Sequence, residues 1–286
     1  MPSSVLTRGC ALLLLFAIAD AGMAQQAFVA DEFEAPSGLA ITAQDGPGAE
    51  RFLRWAGQDA LAFARATGAT LPVIALAGSA LVPTATNLDA PIGDGLRGEP
   101  EGALGVFLEV GDRLGERKMA VPVVALFGVS LFTDNERFQD AAFTSMQSAL
   151  YASGVTMGLK SLVGRARPYT DDGSFNFAPL SPSRDYYSFP SGHTTLSFAV
   201  VTPWVMYYPG PVTYSLLAVS AGTAVARISK DEHWATDVLA GAAIGAFTGV
   251  FLARRHLREA EARAAFQVQP LVSTDHIGAS VTIPIR

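Results

Sequence analysis

The chain has 286 residues, half of them hydrophobic and only 16% charged, with a formal charge of −6 at pH 7 and a single cysteine. The net negative charge and the lack of a long basic run exclude a nucleic-acid surface. The positive mean hydropathy fits an apolar helical protein, and the length allows one or two domains.

Residues 1–24 read as a secretory signal: Arg8 gives a positive start, Ala11 to Ala19 an apolar core, and Gly22-Met23-Ala24 a small-residue cleavage pattern. Cys10 precedes that core and is not placed as a lipoprotein acceptor, so removal of the signal leaves no thiol. Residues 25–101 form an N-terminal segment with covering helices. Asp31 to Ala49 is rich in Gly, Ala, Pro and acidic residues and reads as exposed. Glu50 to Ala66 is helical in period, with Phe52, Trp55, Ala56, Leu61 and Phe63 opposed by Arg51, Arg54 and Asp59, as suits a helix lying over a bundle, with a helix in a membrane interface as the alternative. Ala69 to Val82 is apolar, and Pro83 to Glu101 is a Pro/Gly-rich loop. Residues 102–264 carry helices near Gly102 to Glu116, Met119 to Phe132, Glu136 to Val163, His193 to Tyr208, Pro211 to Ala226 and Thr236 to Ala264, whose apolar faces pack into an all-α bundle. The break at Tyr208-Pro209-Gly210-Pro211 is a sharp turn between antiparallel helices. In the tail, 265–286, Phe266 and Val268 alternate with polar residues, as do Ile277, Ala279, Val281 and Ile283 beyond a turn at Ser273 to His276, which predicts a short β-hairpin.

Three motifs in the second half carry the chemistry. Lys160 and Arg167 are seven residues apart, two turns along one helix face, with Pro168 ending the run. A planar Arg fork and a compact Lys charge hold one phosphoryl group from two sides; alone, such a pair also fits a solvated helix end. Arg165 falls off the shared face and is assigned to solvent. Pro190-Ser191-Gly192 is loop chemistry before the apolar run from Thr194 to Tyr208, so Ser191 is a natural N-cap. The free amides at that terminus bind an anion, and Gly192 lets the backbone come close. His193 then lies beside the anion as a general acid, or merely caps the helix. His233 and Asp237 are four residues apart, so one helical turn brings the carboxylate to the imidazole, fixes its tautomer and leaves the other nitrogen as a nucleophile toward phosphorus. A surface His/Asp pair has the same spacing. Arg227 adds a third cation. Two of the four histidines fall within these motifs, and no metal-ligand cluster competes with them, so the joint reading is phosphoryl transfer at one site.

Together the motifs resemble the Lys-x6-Arg-Pro, Pro-Ser-Gly-His and Ser-Arg-x5-His-x3-Asp signatures of the type 2 phosphatidic acid phosphatase and vanadium haloperoxidase superfamily, over roughly Asp112 to Arg254. The resemblance implies a helical bundle of that kind, without a cofactor. It implies that Lys160, Arg167 and Arg227 bind phosphate with help from Ser191 and Gly192. It further implies that His193 is the acid, His233 the nucleophile forming a phosphohistidine, and Asp237 its partner. Ala226 departs from the family's Ser; the loss of one neutral hydrogen bond, about 0.5–1.5 kcal/mol, tunes activity without abolishing it.

The expected function is therefore a metal-independent phosphatase acting on a phosphomonoester or pyrophosphate, with a phosphorylated lipid or small molecule as substrate. The rivals are a noncatalytic lipid-binding or transport protein and a vanadate-dependent haloperoxidase. The loop Tyr169 to Phe189, with Asp171, Asp172, Arg184, Asp185, Tyr186 and Tyr187, either lines a substrate mouth or packs on the bundle. Apolar runs of about 13–17 residues fall short of the roughly 20 that span a bilayer, which favours a periplasmic protein, soluble or membrane-associated. Arg254, Arg255 and Arg258 after the last run keep open the alternative of an inner-membrane protein with an outward-facing site.

Overall fold

The computed structural model describes residues 50–98, 100–265, 267–272 and 277–282, with side chains for 50–68, 87–98 and 100–262. The signal expected at 1–24, the stretch at 31–49 and the hairpin turn at 273–276 lie outside the described residues. Eight α-helices dominate those residues, so the chain is mostly helical: α1 (Glu50–Thr86), α2 (Asp89–Leu96), α3 (Gly102–Leu114), α4 (Ala120–Ser130), α5 (Glu136–Val163), α6 (Gly192–Tyr207), α7 (Pro211–Ser229) and α8 (Ala235–Ala265).

Local chemistry sets the helix ends. Asn135 opens α5 by accepting the Phe138 amide at 3.0 Å. Gly164, at φ 58°, closes it with its N–H on the Lys160 carbonyl. A Cβ there would run into the Ala178 carbonyl, so both the backbone angle and the space select glycine. Ser191 caps α6, and Pro211 occupies the first position of α7, where its missing N–H costs nothing. At the start of α8 the Asp237 carboxylate reaches back to the Trp234 amide at 2.9 Å, the returning half of a capping box.

α6 is apolar around its circumference and packs against α5, α7 and α8, which makes it the central helix. Against it α8 sets Gly241, Gly245 and Gly249, one per turn. A Cβ at Gly241 would lie 2.5 Å from the Ser191 carbonyl oxygen, and one at Gly245 would lie 2.4 Å from that of Thr195. The two backbones therefore nearly touch, and the start of α8 is held beside the start of α6. Leu196 and Val200 of α6 join Val123 and Ala149 in the core.

The N-terminal segment differs from the expectation in two respects. α1 continues past Ala66 to Thr86, and the region expected as a loop from Pro83 to Glu101 contains α2. Pro91 is tolerated because it lies in the first turn. Leu96 packs with Ala224, Ile228, Ala235 and Val238, and this burial overrides the poor helix propensity of Gly93 and Gly95. α1 docks through Phe52 and Trp55 on Phe143, with Trp55 stacked 3.8 Å over His256. Asp59 accepts from Arg255 Nε at 3.0 Å and lies 2.7 Å from His256 Nε2, while His256 Nδ1 lies 2.7 Å from Thr144 Oγ1. That Thr-His-Asp row is wholly buried and joins α1, α5 and α8.

Past α8, Gln267–Val272 and Ile277–Thr282 run antiparallel, with Gln267 opposite Thr282 and Val272 opposite Ile277. By length and composition, Pro211–Ser229 and Ala235–Ala262 are each long and apolar enough to cross a membrane.

Candidate active site

The C-terminal ends of α3, α5 and α7 meet the N-terminal ends of α6 and α8 at one end of the bundle. Lys160, in the last turn of α5, is 6% exposed and donates Nζ to the carbonyls of Tyr187 at 2.7 Å and Ser188 at 3.3 Å. It thus fastens the loop that leads into Ser191. Burial, aided by the nearby Arg167 charge, pushes its pKa down to about 7.

Lys160 and Arg167 do not share a helix face, because the helix stops at Gly164. Arg167 lies in an extended tail, its N–H on the Asp185 carbonyl at 2.9 Å. It reaches the site because that tail is threaded between two loops. The Ser188 N–H donates to the Arg165 carbonyl at 3.0 Å, and the Trp234 indole N–H to the Ala166 carbonyl at 2.9 Å.

Arg165 is not a solvent residue but one of the most buried side chains, 2% exposed. Helical counting, which placed it off the shared face, has no meaning beyond Gly164. Its Nη1 donates to Asp237 Oδ1 and to Thr236 Oγ1, both at 2.7 Å, and its Nη2 to Asp89 Oδ2 at 2.7 Å. Asp89, the first residue of α2, also accepts the Thr236 amide at 2.9 Å. Ser188 Oγ donates to Asp237 Oδ2, which the Trp234 amide also reaches.

His233 lies in the loop between α7 and α8 rather than on the helix with Asp237. Its Nδ1 is 3.7 Å from Asp237 Oδ2, an ion-contact distance longer than a hydrogen bond. Burial pushes its pKa down to about 3, with Lys160 and Arg167 acting in the same direction and Asp237 opposing them. His193, second in α6 and half-buried, is pushed down to about 4 by burial and then by Arg227. Both imidazoles are neutral at pH 7.

Ser191 is fully buried; its N–H donates to the Asp237 carbonyl at 2.9 Å and its Oγ accepts from Thr194 N. The hydroxyl is therefore engaged in capping. The amides of Gly192 and His193, at the first turn, have no intrahelical acceptor and face the positive end of the helix dipole. Arg227, in the last turn of α7, donates Nη1 to Asp112 at 3.0 and 3.3 Å. Its Nη2 lies 3.2 Å from Glu232 Oε2, the same oxygen that accepts from Arg167 Nη1. Lys230 donates to Asp112 at 2.7 Å. Three buried nitrogens here have no hydrogen-bond partner: Arg167 Nε, Arg227 Nε and His233 Nδ1. Ala226 packs with Leu108 and Val225, so the departure from Ser places a methyl group in apolar contact.

The structure thus brings together Lys160, Arg167, Ser191, Gly192, His193, Arg227, His233 and Asp237 from three separated segments. Sequence reasoning missed Asp89, Asp112, Arg165, Ser188 and Glu232. Gly164 before Arg165 was a readable helix stop. Asp89 and Asp112 carried no comparable signal, since each sits in a helix whose burial depends on its neighbours. In the loop Tyr169 to Phe189, Tyr169 donates its hydroxyl to Asp185 at 2.9 Å, while Phe175, Phe177 and Leu180 are exposed.

Residues 142–260 match the model of the PAP2 superfamily. Among characterised relatives, a lipid A 1-phosphatase of Rhizobium johnstonii is 35% identical over 97 residues, covering 33% of this chain and 39% of that protein. A lipid A 1-phosphatase of Porphyromonas gingivalis is 37% identical over 81 residues, covering 27% and 18%. The chain spans about two fifths of the length of the Rhizobium relatives it matches. The crystal structure of Aquifex aeolicus LpxE aligns with a TM-score of 0.45 and 20% identity, over 58% of this chain and 95% of that one.

Proposed function

We propose that this chain is a metal-independent phosphatase of the cell envelope, hydrolysing a lipid phosphate through a phosphohistidine. One observation carries the reading: three cations and two histidines from distant segments converge where Arg167 Nε and Arg227 Nε are buried without acceptors. Unpaired buried donors are costly, and phosphoryl oxygens satisfy them. Lys160, Arg167, Arg227 and the amides of Gly192 and His193 hold the phosphoryl group and stabilise its transition-state charge. His233, with Nδ1 turned toward Asp237, attacks phosphorus through Nε2 as the bond to the leaving oxygen breaks. His193 gives that oxygen a proton, then takes one from the water that hydrolyses the phosphohistidine. Because His193 is neutral at rest, the proton arrives with the substrate, whose phosphate retains one up to about pH 6. The lipid class follows from the relatives named as lipid A 1-phosphatases.

In this reading the segment 25–101 covers the bundle and contributes Asp89, residues 102–264 are catalytic, and the C-terminal hairpin is an appendage. The protein is membrane-associated with its site on the periplasmic side, after removal of a signal at 1–24. Exposed apolar side chains on and beside α4 (Val121, Val129, Phe132), α3 (Val106) and α7 (Val212) support contact with lipid.

The test is phosphate release from p-nitrophenyl phosphate and a panel of lipid phosphates in excess EDTA, comparing wild type with His233→Ala. EDTA-resistant activity that the variant loses by at least about a thousandfold is the expected result. Full activity in the variant, or bromide oxidation with vanadate and peroxide in place of hydrolysis, would refute the reading.

A further inference from the structure

Glu232 differs from the other acidic residues of the site. Asp112 is buried, belongs to α3 and holds Arg227 by Nη1 with both carboxylate oxygens. It leaves the Nε–Nη2 edge of that guanidinium, the edge that grips an oxyanion two-pronged. On that edge Nε has no partner and Nη2 meets Glu232 Oε2. Arg167 also leaves Nε unpartnered, but it meets the same oxygen through Nη1, off its own Nε–Nη2 edge. One carboxylate oxygen thus sits between the two guanidinium groups, where the phosphoryl group is to bind. Unlike Asp112, Glu232 is a third exposed and lies on the loop between α7 and α8, next to His233.

We infer that Glu232 is a displaceable internal anion: its carboxylate occupies the phosphate position in the resting site and must leave before the phosphoryl group binds. The inference rests on the phosphatase reading for the identity of the incoming anion. In the resting site the carboxylate offsets the repulsion between Arg167 and Arg227. As a competitor held at high local concentration, it also raises the substrate concentration needed to fill the site. Groups able to engage both arginines through several oxygens displace it, whereas a single carboxylate does not. The site is thereby restricted to phosphoryl-type anions.

The experiment measures binding of orthophosphate and of vanadate to purified full-length wild type, Glu232→Gln, Glu232→Ala and Glu109→Gln by calorimetry, alongside KM and kcat on the best lipid phosphate. Glu109 pairs with Lys230 and Arg113 and contacts neither Arg167 nor Arg227, so its variant removes a nearby charge without altering a direct partner of the two guanidinium groups. The expected result is binding tightened about tenfold or more in both Glu232 variants, a matching fall in KM, and no change in Glu109→Gln. Unchanged or weaker binding in both Glu232 variants would overturn the inference and mark Glu232 as a residue that merely orients the arginines. Equal tightening in Glu109→Gln would overturn it in favour of a general charge effect. Tightened binding in the Glu232 variants, with no hydrolysis by wild type, would uphold the inference while the phosphatase reading falls. Hydrolysis without the tightening does the reverse, and absence of binding throughout sinks both.

Discussion

His233 and His193 lie among Lys160, Arg167 and Arg227 with pKa values pushed to about 3 and about 4, and Lys160 itself is pushed to about 7. Each folded-state value is below its unfolded one, so below pH 6.5 the unfolded chain binds histidine protons that the folded chain refuses. Stability is then lost as the pH falls through 6.5, and the loss levels off only below the folded values. For the buried His233 this amounts to about 2 kcal/mol between pH 7.5 and pH 5. Lys160 acts in the same direction, its cost being complete below about pH 7. Saturating orthophosphate supplies the missing negative charge, raises the three values and weakens the effect. Urea denaturation midpoints are therefore expected to fall from pH 7.5 to pH 5, and to fall less with phosphate present. A midpoint indifferent to phosphate at pH 5 would remove the anion from the neighbourhood of these histidines.

Arg165 is where elements are tied together: one guanidinium holds the first residue of α2, the first turn of α8 and the Ser174 carbonyl. Arg165→Gln leaves Asp89 and Asp237 buried with a single neutral amide between them. Breaking a buried ion pair costs about 3–5 kcal/mol, so a marked drop in melting temperature is expected. A fall in kcat larger than the change in KM should accompany it, because Asp237 is displaced relative to His233 while the phosphate cations remain. Unchanged melting and kcat would show that α2 is not coupled to the site. Much of this architecture was legible in the sequence. The stretch Glu136 to Val163 was bounded correctly because Asn135 and Gly164 are strong local signals. Arg165 was misassigned because the run after Gly164 was still counted as helix. α2 was missed because Pro91, Gly93 and Gly95 read as loop, and only the docking of Leu96 makes that segment helical. The three motifs were legible because short-range spacing carried them; the carboxylates that set their charge came from elsewhere in the chain.

At the scale of the whole molecule, the groups of the candidate site gather at one end of the bundle while apolar side chains cover the flanks of α3, α4 and α7. The expectation that the apolar runs fall short of a membrane span does not hold for α7 and α8, which satisfy it by length and composition. Counting had stopped α7 at Ala226, whereas Arg227 and Ser229 extend the helix. Upon cell fractionation the protein is expected in the membrane pellet, resisting high salt and alkaline carbonate and released by detergent; recovery in the salt wash would confine it to a peripheral role. Lys160, His193, Arg227 and His233 all lie at one end of the bundle. If the flanks lie in lipid and the substrate is the lipid phosphate proposed above, that substrate arrives by lateral diffusion within the leaflet and never leaves it. The rate then follows the mole fraction of substrate in the surface rather than its bulk concentration, so inert lipid added at constant substrate slows turnover as surely as an inhibitor.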